Sequence, residues 1–350
     1  MSKAVTAVVT THNARATLVR CLESLRKAGP FAEILLFDSG STDGCVDSVK
    51  ESFPEIVVEK LGRNVGPCVT RNLGLERAKT SRVLFVDDDM TLEPGVVGRL
   101  SEALDENPRA ALAGPTIVFA GHRDVIQYAG GRAHFAGLPH LLHLGECPVR
   151  APGPHSVDVL TAGCLLADRD RVRSVGGFDE DYFYLAEDVD LSLRLRQNGF
   201  ELVMVPSAVV ENVGGTEGLS LHDDSYPERR VELHSRNRWL LIGKLYDPWT
   251  IFILLPGLAV YETAWIIFAL FTGHLPAYFR GKWRASTVLL KSFRKKRDHA
   301  RKLIPDRELL GAPPMTFTTS ALAQPFAEKG ATLLDGWLRM WWVVLKGALQ

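Results

Sequence analysis

Residues 4–86 alternate between short apolar runs and segments with helical spacing of apolar residues, and this alternation constrains the fold more than any other feature. The apolar runs at 4–9, 33–37, 56–60 and 82–86 are predicted strands, and the segments at 16–27, 46–53 and 69–78 are predicted helices. Strands that alternate with helices and are joined by short Gly- or Asp-containing turns favour βαβ units and a mostly parallel sheet. The sequence therefore predicts an α/β fold.

Three of the predicted strands end in polar clusters: TTHN at 10–13, DSGSTDG at 38–44 and DDD at 87–89. Each cluster alone is also an ordinary turn sequence. Ligands of parallel α/β sheets bind at the carboxyl ends of the strands, where these three clusters would meet. Together they predict one binding site at one edge of the sheet.

Asp87, Asp88 and Asp89 follow the apolar run VLFV directly. Like charges this close raise one another's pKa and cost free energy unless a cation lies among them. Hard divalent cations such as Mg²⁺ and Mn²⁺ take carboxylate oxygens and are commonly completed by substrate phosphates. The triple Asp therefore indicates a site for Mg²⁺ or Mn²⁺ together with a phosphate-bearing ligand.

These clusters, in this order, resemble glycosyltransferase family 2, the inverting enzymes of the GT-A (nucleotide-diphospho-sugar transferase) fold, and its bacterial membrane-associated, rhamnosyltransferase-like members in particular. The resemblance covers residues 4–239. It rests on TTHN, DSGSTDG, RNLG at 71–74, VDDD at 86–89, VDVLTAGCLL at 157–166 and, most specifically, GGFDEDYFYLAEDVDLSLRLRQNGF at 176–200. It implies a GT-A catalytic domain over residues 1–245, with a mostly parallel sheet flanked by helices.

The resemblance also implies roles for individual residues. The nucleoside diphosphate sugar donor would be bound by Thr10, His12, Asn13, Asp38, Arg71, Asp87 and Asp88. The Mg²⁺ or Mn²⁺ ion would be held by Asp87 and Asp89. Asp188 would be the general base that takes the proton of the acceptor hydroxyl. Contacts to the acceptor would come from Gly163, Tyr184 and Glu187.

Residues 176–200 can also be interpreted without the family. The aromatic residues at 178 and 182–184 are typical of a wall that stacks against a sugar. Glu187, Asp188 and Asp190 begin a predicted helix, where the helix dipole favours acids, so helix capping is the simpler interpretation for Asp190 and also applies to Glu187. Only the resemblance separates Asp188 from its neighbours.

Two further regions bear on the site. Residues 113–163 are rich in Gly, Pro and His and are expected to form an irregular segment around the acceptor, with their histidines on the surface. Residues 211–212 are Glu-Asn, where the family often has the His of a His-x-x-Gly motif, so no third contribution to the metal or diphosphate is predicted.

SRNRW at 235–239 only loosely resembles the Gln-x-x-Arg-Trp of processive synthases, which favours transfer of single sugars.

The sequence of the last third of the chain indicates that this region contacts a membrane. Residues 249–272 are apolar over a length that could span a bilayer, but Pro256, Gly257 and Glu262 interrupt them, so two short interfacial helices or a re-entrant hairpin fit as well. From Arg280 to Lys302 there are ten Lys or Arg and one acid, which favours an anionic membrane surface over nucleic acid. A Trp-rich amphipathic segment follows at 337–349. We therefore expect a membrane-associating helical region over residues 246–350, at the cytoplasmic face of the cell membrane.

The five cysteines lie far apart without a CxxC pair, which predicts reduced thiols in the cytosol. The sequence as a whole predicts an inverting, metal-dependent glycosyltransferase that uses a lipid-linked or cell-surface glycan as acceptor and no nucleic acid. One alternative is a catalytically inactive, membrane-tethered nucleotide-sugar-binding or scaffold protein of the same fold. Another is nucleotidyl transfer to a sugar phosphate, which would need a Gly-rich basic loop that TTHNAR does not supply.

Overall fold

A computed structural model describes residues 3–148, 153–214, 226–295, 302–317 and 327–349. The chain divides into two compact units. The first comprises Met1–Gly131 and Leu141–Gly214, and the second comprises Arg132–His140 and Gly215–Gln350.

The strands lie mainly in the first unit. They are β1 (Val5–Thr11), β2 (Glu33–Asp38), β3 (Val57–Lys60), β4 (Arg82–Asp87), β5 (Met90–Leu92), β6 (Ala110–Phe119), β7 (His122–Tyr128), β8 (Gly131–His134), β9 (Leu138–Leu141), β10 (His155–Val157), β11 (Cys164–Asp168) and β12 (Glu201–Asn212). One sheet has the order β10-β12-β6-β11-β4-β1-β2-β3, with β5 paired to β12 and β7 to β6, while β8 and β9 form a separate pair. Parallel pairs join β1 to β2 and β4, β2 to β3, and β12 to β6, whereas β11 runs antiparallel to both of its neighbours.

The helices of the first unit are α1 (Leu18–Ala28), α2 (Cys45–Ser52), α3 (Pro67–Arg77), α4 (Val96–Glu106), α5 (Arg169–Ser174) and α6 (Glu187–Gln197). All seven residues of β1 are buried, as expected of a central parallel strand covered on both faces. Leu18, Leu22 and Leu25 recur at helical spacing on the buried face of α1. The predicted βαβ pattern is thereby confirmed, with every predicted strand and helix of residues 4–86 present.

The expectation of an irregular segment at 113–163 is wrong. Residues 110–119 form β6, which is longer than every other described strand except β12, and β7 to β10 lie in the rest of this stretch. His134 is also buried rather than on the surface, because its ring stacks on Phe135 at 4.8 Å and its Nδ1 accepts the backbone N–H of Ala136. Gly114 and Pro115 lie inside β6 and interrupt its apolar run, and β8 to β10 are too short to show a clear alternation of apolar and polar residues.

The second unit is helical. Its helices are α7 (Glu228–Leu245), α8 (Pro248–Phe271), α9 (Leu275–Lys295), α10 (Asp306–Leu309), α11 (Ala327–Leu345) and the 3₁₀ turn Lys346–Ala348. Helix α7 packs along α9 within this unit, whereas the sequence prediction placed residues 1–245 together. Part of the basic run, residues 296–301, lies outside the described residues.

Helix α8 runs unbroken through Pro256, so the prediction of two short helices or a hairpin is wrong. A Cβ at Gly257 would lie 3.0 Å from the ring of Phe135 and 3.1 Å from that of Trp341, so both side chains pack closely on the helix at this point. That packing outweighs the hydrogen bond that proline removes. Among the described helices, α8 alone has the length and composition to cross a membrane.

Candidate active site

Register in the sheet brings the three predicted polar clusters together at one edge. Thr10 pairs with Phe37 on one side and with Asp87 on the other, and Thr11 pairs with Asp38. The ends of β1, β2 and β4 therefore lie side by side. This is the grouping that the sequence predicted.

The turns after β1 and β2 are tied to each other by hydrogen bonds. Asn13 adopts a left-handed conformation with φ 55°, which asparagine tolerates better than most residues. Its backbone N–H donates to Ser41 Oγ at 3.0 Å, and its side-chain oxygen accepts the N–H of Thr42 at 2.8 Å. Asp38 accepts the N–H of Ser41 at 2.8 Å. The side chain of His12 is exposed beside these turns, and the backbone N–H of His12 donates to Asp88 Oδ2 at 3.2 Å.

Asp87 is anchored at the end of β4 through one of its oxygens. Thr10 Oγ1 donates to Asp87 Oδ1 at 3.1 Å, and Arg71 Nη2 donates to the same oxygen at 2.7 Å. The backbone N–H of Asp87 donates to the carbonyl of Gly163 at 2.8 Å. A Cβ at Gly163 would lie 2.8 Å from Met90 Cε and 3.6 Å from Asp87 Oδ2. The absence of a side chain at Gly163 therefore lets its backbone lie close to Met90 and Asp87.

Arg71 on α3 joins the Asp cluster to the start of α6. The guanidinium is only 2% exposed, and its second terminal nitrogen donates to Glu187 Oε1 at 3.1 Å. It also lies over the ring of Phe178, 5.4 Å from the centroid. Both terminal nitrogens are thus used by carboxylates, whereas the family resemblance implied an approach to the diphosphate. A planar fork with two donor edges is suited to such bridging.

Asp88 and Asp89 lie half-buried beside Asp87. Burial raises the pKa of Asp88 to about 8, an effect opposed by the Thr11 hydroxyl and increased by Asp89 and Asp87. Burial also raises the pKa of Asp89 to about 7, with Asp87 adding to it. Asp89 Oδ1 is buried and has no hydrogen-bond partner in the described structure.

An oxygen of this kind fits a divalent cation, because a metal ion would supply the missing partner and offset the repulsion among the carboxylates. Asp87 fits less directly, since Thr10 and Arg71 already use its Oδ1, and only Oδ2 remains for a metal. The described residues contain no group of three or more His, Cys, Asp or Glu side chains suited to holding a metal by themselves. The donor set therefore suits a cation whose coordination is completed by substrate oxygens.

Glu187 and Asp188 are neighbours in the first turn of α6 with different surroundings. Burial raises the pKa of Glu187 to about 7, Asp188 raises it further, and Arg71 opposes the shift. Burial likewise raises the pKa of Asp188, while the N–H of Val189, the charge of Arg71 and the hydroxyl of Thr161 act in the opposite direction. Asp188 is therefore a stronger base than an exposed aspartate, and it forms no ion pair with any residue in the described part of the chain.

The segment before α6 is held in a sparsely populated backbone conformation. Phe183, Leu185 and Ala186 have φ values of 65°, 68° and 68°, in the left-handed region that non-glycine residues rarely adopt. The ring of Phe183 lies against Gly66, where a Cβ would be 2.6 Å away. Sequence reasoning missed this strain, and the glycine before Pro67 was its only signal.

The predicted aromatic wall is partly wrong. Phe178 and Tyr182 are buried in the core, Phe178 edge-on to Phe85 with 5.3 Å between ring centroids. Phe183 and Tyr184 are half-buried and remain on the surface of this region. Only residues 183 and 184 are therefore left to form the predicted aromatic wall.

The capping interpretation of Asp190 is also wrong. Asp190 is 1% exposed, accepts Arg194 Nε at 2.7 Å and lies 3.3 Å from the hydroxyl of Tyr182, which donates to it. Arg194 in turn donates to the carbonyls of Val175 and Gly177. Asp190 therefore holds the Gly176-Gly177 bend against α6 as one member of a buried ion pair.

Glu211, at the position where the family often has histidine, faces two arginines. It is 5% exposed and pairs with Arg20 at 3.0 Å and with Arg123. The neighbouring N–H of Val213 donates to the carbonyl of Asp89 at 2.8 Å. This strand end thus supports the backbone of the Asp cluster, while the Glu211 carboxylate is occupied by the two guanidinium groups.

Comparison with known proteins agrees with this geometry. The family model "Glycosyl transferase family 2" matches residues 6–146, and "Glycosyl transferase family group 2" matches residues 82–300. The N-acetylglucosaminyl-diphospho-decaprenol L-rhamnosyltransferase of Mycobacterium tuberculosis is 28% identical over 277 residues, 71% of this chain and 87% of that protein. The pre-mycofactocin glycosyltransferase of the same organism is 31% identical over 210 residues, 59% of this chain and 42% of that protein.

Solved structures support the fold alone. GalNAc-T7, crystallised with UDP, GalNAc and Mn²⁺, superposes with a TM-score of 0.52 at 20% identity, covering 67% of this chain and 48% of that one. Staphylococcus aureus TarS superposes with a TM-score of 0.53 at 16% identity, covering 96% of this chain and 55% of that one. The chain therefore spans about half the length of these two structures.

Proposed function

The chain belongs to glycosyl transferase family 2 and is a glycosyltransferase that uses a nucleotide-sugar donor, and we propose that it transfers a hexosyl or deoxyhexosyl group with inversion, using Asp188 as general base. The observation that carries this proposal is the Arg71 fork, which joins Asp87 at the donor edge of the sheet to Glu187 beside Asp188. Donor-side and base-side carboxylates thus belong to a single site.

The chemistry of this proposal is a single displacement. The acceptor hydroxyl oxygen attacks the anomeric carbon as the bond from that carbon to the nucleoside diphosphate oxygen breaks, and the hydroxyl proton passes to Asp188. Inversion needs one such base and no covalent intermediate on the protein. The raised pKa of Asp188 supports this role because a stronger base takes the proton more readily.

The donor side of the proposal rests on the tied turns after β1 and β2. Thr10, His12, Asn13 and Asp38 would hold the nucleoside. Asp89, together with the free oxygen of Asp87, would hold a Mg²⁺ or Mn²⁺ ion, which when bound would offset negative charge on the departing diphosphate. Arg71 and Asp88 would position this cluster, since both bond to protein groups around it.

The acceptor side is proposed from the relatives. One relative is named for a diphospho-decaprenol acceptor, and by analogy we expect a lipid-linked or cell-surface glycan here. Gly163, Tyr184 and Glu187 would contact this acceptor, and the Thr161 hydroxyl, which is hydrogen-bonded to Asp188, would lie beside the base. Such an acceptor places the enzyme at the cytoplasmic face of the cell membrane in this proposal.

The test is a transfer assay with a panel of nucleoside diphosphate sugars, a lipid-linked glycan acceptor and Mn²⁺, followed by NMR of the anomeric configuration of the product. We expect one donor to give a product of configuration opposite to that of the donor. A product that retains the donor's configuration would overturn the single displacement. If donors bind but no donor of the panel is transferred or hydrolysed, the result would instead favour an inactive binding protein.

A further inference from the structure

The exposed apolar residues of this chain are concentrated in the second unit. Of sixteen large apolar residues exposed in the described structure, thirteen lie on α8, α9 and α11: Trp249, Phe252, Leu255, Ile267, Leu270, Phe271, Phe279, Trp283, Leu290, Leu333, Met340, Val343 and Val344. A soluble surface scatters such residues singly, whereas a concentration marks a docking surface.

The exposed face of helix α8 is apolar except at Thr263, whose hydroxyl donates to the carbonyl of Ala259. Phe252, Leu255, Ala259, Ile267 and Leu270 recur on that face at helical spacing. The nineteen residues from Phe252 to Leu270 are separated by eighteen steps of 1.5 Å and so extend about 27 Å. This is close to the hydrocarbon thickness of a bilayer, about 30 Å, so length alone allows a span as well as an in-plane position.

The opposite side of α8 favours the in-plane position. Glu262, near the middle of the helix, accepts Trp239 Nε1 at 2.8 Å and the Tyr278 hydroxyl at 2.7 Å, and it pairs with Arg238 and Lys282. A spanning α8 would carry these charges of α7 and α9 to the bilayer centre, at about 2.5–3.5 kcal/mol for each charged residue. A helix lying in the interface keeps them on the aqueous side.

Helix α9 has the pattern of an interfacial helix. Phe279, Trp283 and Leu290 form an exposed apolar row. A basic residue directly follows each of them in the sequence, namely Arg280, Arg284 and Lys291. The two arginines pair with Glu228 and Glu232 of α7, yet their side chains remain 47% and 62% exposed. A groove of about 640 Å³ runs along this face, lined by Pro276, Phe279, Arg280, Lys282, Trp283, Arg284 and Ser286. Apolar and basic rows side by side suit acyl chains and lipid phosphates together.

The charge of the unit points to the same partner. Helices α7, α8, α9 and α11 with the 3₁₀ turn carry 14 Lys or Arg against five Asp or Glu, while the whole chain is neutral. A basic unit that also carries most of the exposed large apolar residues is complementary to an anionic bilayer, because basic residues near such a surface are attracted to its lipid headgroups.

We propose that the second unit docks on an anionic lipid bilayer as a monotopic platform, with α8 and α9 lying in the interface plane and neither of them crossing the membrane. The apolar rows of α8, α9 and α11 reach the acyl boundary. The basic row of α9 lies at the level of the lipid phosphates.

The first test is flotation of the full chain with phosphatidylcholine vesicles, with and without about one-third phosphatidylglycerol. We expect binding to the anionic vesicles, and we expect the double variant Phe279→Ser, Trp283→Ser to weaken it by about tenfold or more, because two large apolar contacts are lost. Val57→Ser, on an exposed valine of the first unit, is the matched control and should bind like wild type. No binding by the wild-type chain, or equal loss in the control, would overturn the proposal.

The second test separates lying on the membrane from crossing it. Single cysteines at Phe252, Thr263 and Leu270, in a Cys147→Ser background that removes the exposed native cysteine, would carry a fluorophore quenched by brominated lipids. An in-plane helix gives the same shallow depth at all three positions. A deep Thr263 label flanked by shallow ends means a span and overturns the proposal. Protection of the labels only in a concentration-dependent dimer, seen by light scattering without vesicles, assigns the face to a second copy and overturns it too.

Discussion

At the scale of single residues, surroundings rather than residue type separate the roles of the acids around α6. Glu187, Asp188 and Asp190 look alike in the sequence, yet Glu187 pairs with Arg71 and Asp190 pairs with Arg194. Asp188 accepts hydrogen bonds and feels the charge of Arg71, but it forms no ion pair among the described residues. An aspartate that keeps a raised pKa without an ion pair is available to take a proton. Arg71 lies 116 residues from Glu187, so sequence spacing could not reveal that pair. Asp190 and Arg194 have the i, i+4 spacing of a helical ion pair, which the capping interpretation overlooked.

The first prediction contrasts Asp188→Asn with Asp190→Asn. The first change keeps the side-chain shape but removes the base, so we expect turnover to fall by about 10² or more with donor affinity unchanged. The second leaves Arg194 without its buried partner and should lower the free energy of unfolding by about 3 kcal/mol. Turnover, donor affinity and denaturant unfolding of both variants check this. Wild-type turnover in Asp188→Asn would mean that the base lies elsewhere.

The second prediction concerns Asp89, whose Oδ1 is buried without a partner. If that oxygen binds the cation, chelator should weaken nucleoside diphosphate binding by the wild type by about tenfold or more, since phosphate oxygens commonly complete such sites. Asp89→Ala should bind weakly with or without Mn²⁺. Calorimetric titration measures both, and Asp124→Ala, an exposed acid on β7, serves as the control. Equal wild-type affinity in chelator and in Mn²⁺ would contradict the metal assignment.

At the scale of elements, the sheet was predictable and its connections to the helices were not. Each strand of residues 4–86 has an apolar run of its own, so the strands and the meeting of three strand ends could be predicted from local pattern, whereas their register came from the structure. The contact between α3 and α6 depends on one arginine and on the left-handed residues 183, 185 and 186, which have no periodic signature. A related limit hid the strands at 110–157, because Gly114 and Pro115 interrupt the apolar run of β6, and β8 to β10 have four residues or fewer.

The third prediction tests the link between α3 and α6. The charge of Arg71 opposes the rise in the pKa of Asp188, so Arg71→Gln should let that pKa rise further. Less Asp188 is then ionised at a given pH, and the acid limb of the kcat/KM profile should move to higher pH. Arg71→Lys keeps the charge but loses the fork, so we expect lower kcat with the limb unmoved. Arg77→Gln, exposed on the same helix, should match wild type. Identical acid limbs in Arg71→Gln and wild type would count against the link.

At the scale of the whole molecule, the formal net charge of +0 is the sum of two units that differ in charge and in the residues they expose. The excess of basic over acidic residues, the exposed aromatic residues of the described structure and the apolar helix α8 belong to the second unit, and the strand-end carboxylates belong to the first. The sequence indicated this separation through composition alone. It could not place α7, because α7 has buried residues around most of its circumference and its packing against α9 shows only in the fold.

The fourth prediction follows from that division and concerns where the acceptor is presented. If the second unit serves as the membrane platform and the first binds the donor, the double variant Phe279→Ser, Trp283→Ser should raise the apparent KM for an acceptor embedded in anionic vesicles by about tenfold. Its KM for the nucleotide sugar, and its turnover on a short-chain acceptor free in solution, should match those of wild type, because no residue of the first unit has changed. Val57→Ser should leave all three values unaltered. An equal loss on the soluble and the vesicle-borne acceptor would show that these side chains support the fold of the enzyme and do not serve its access to the membrane.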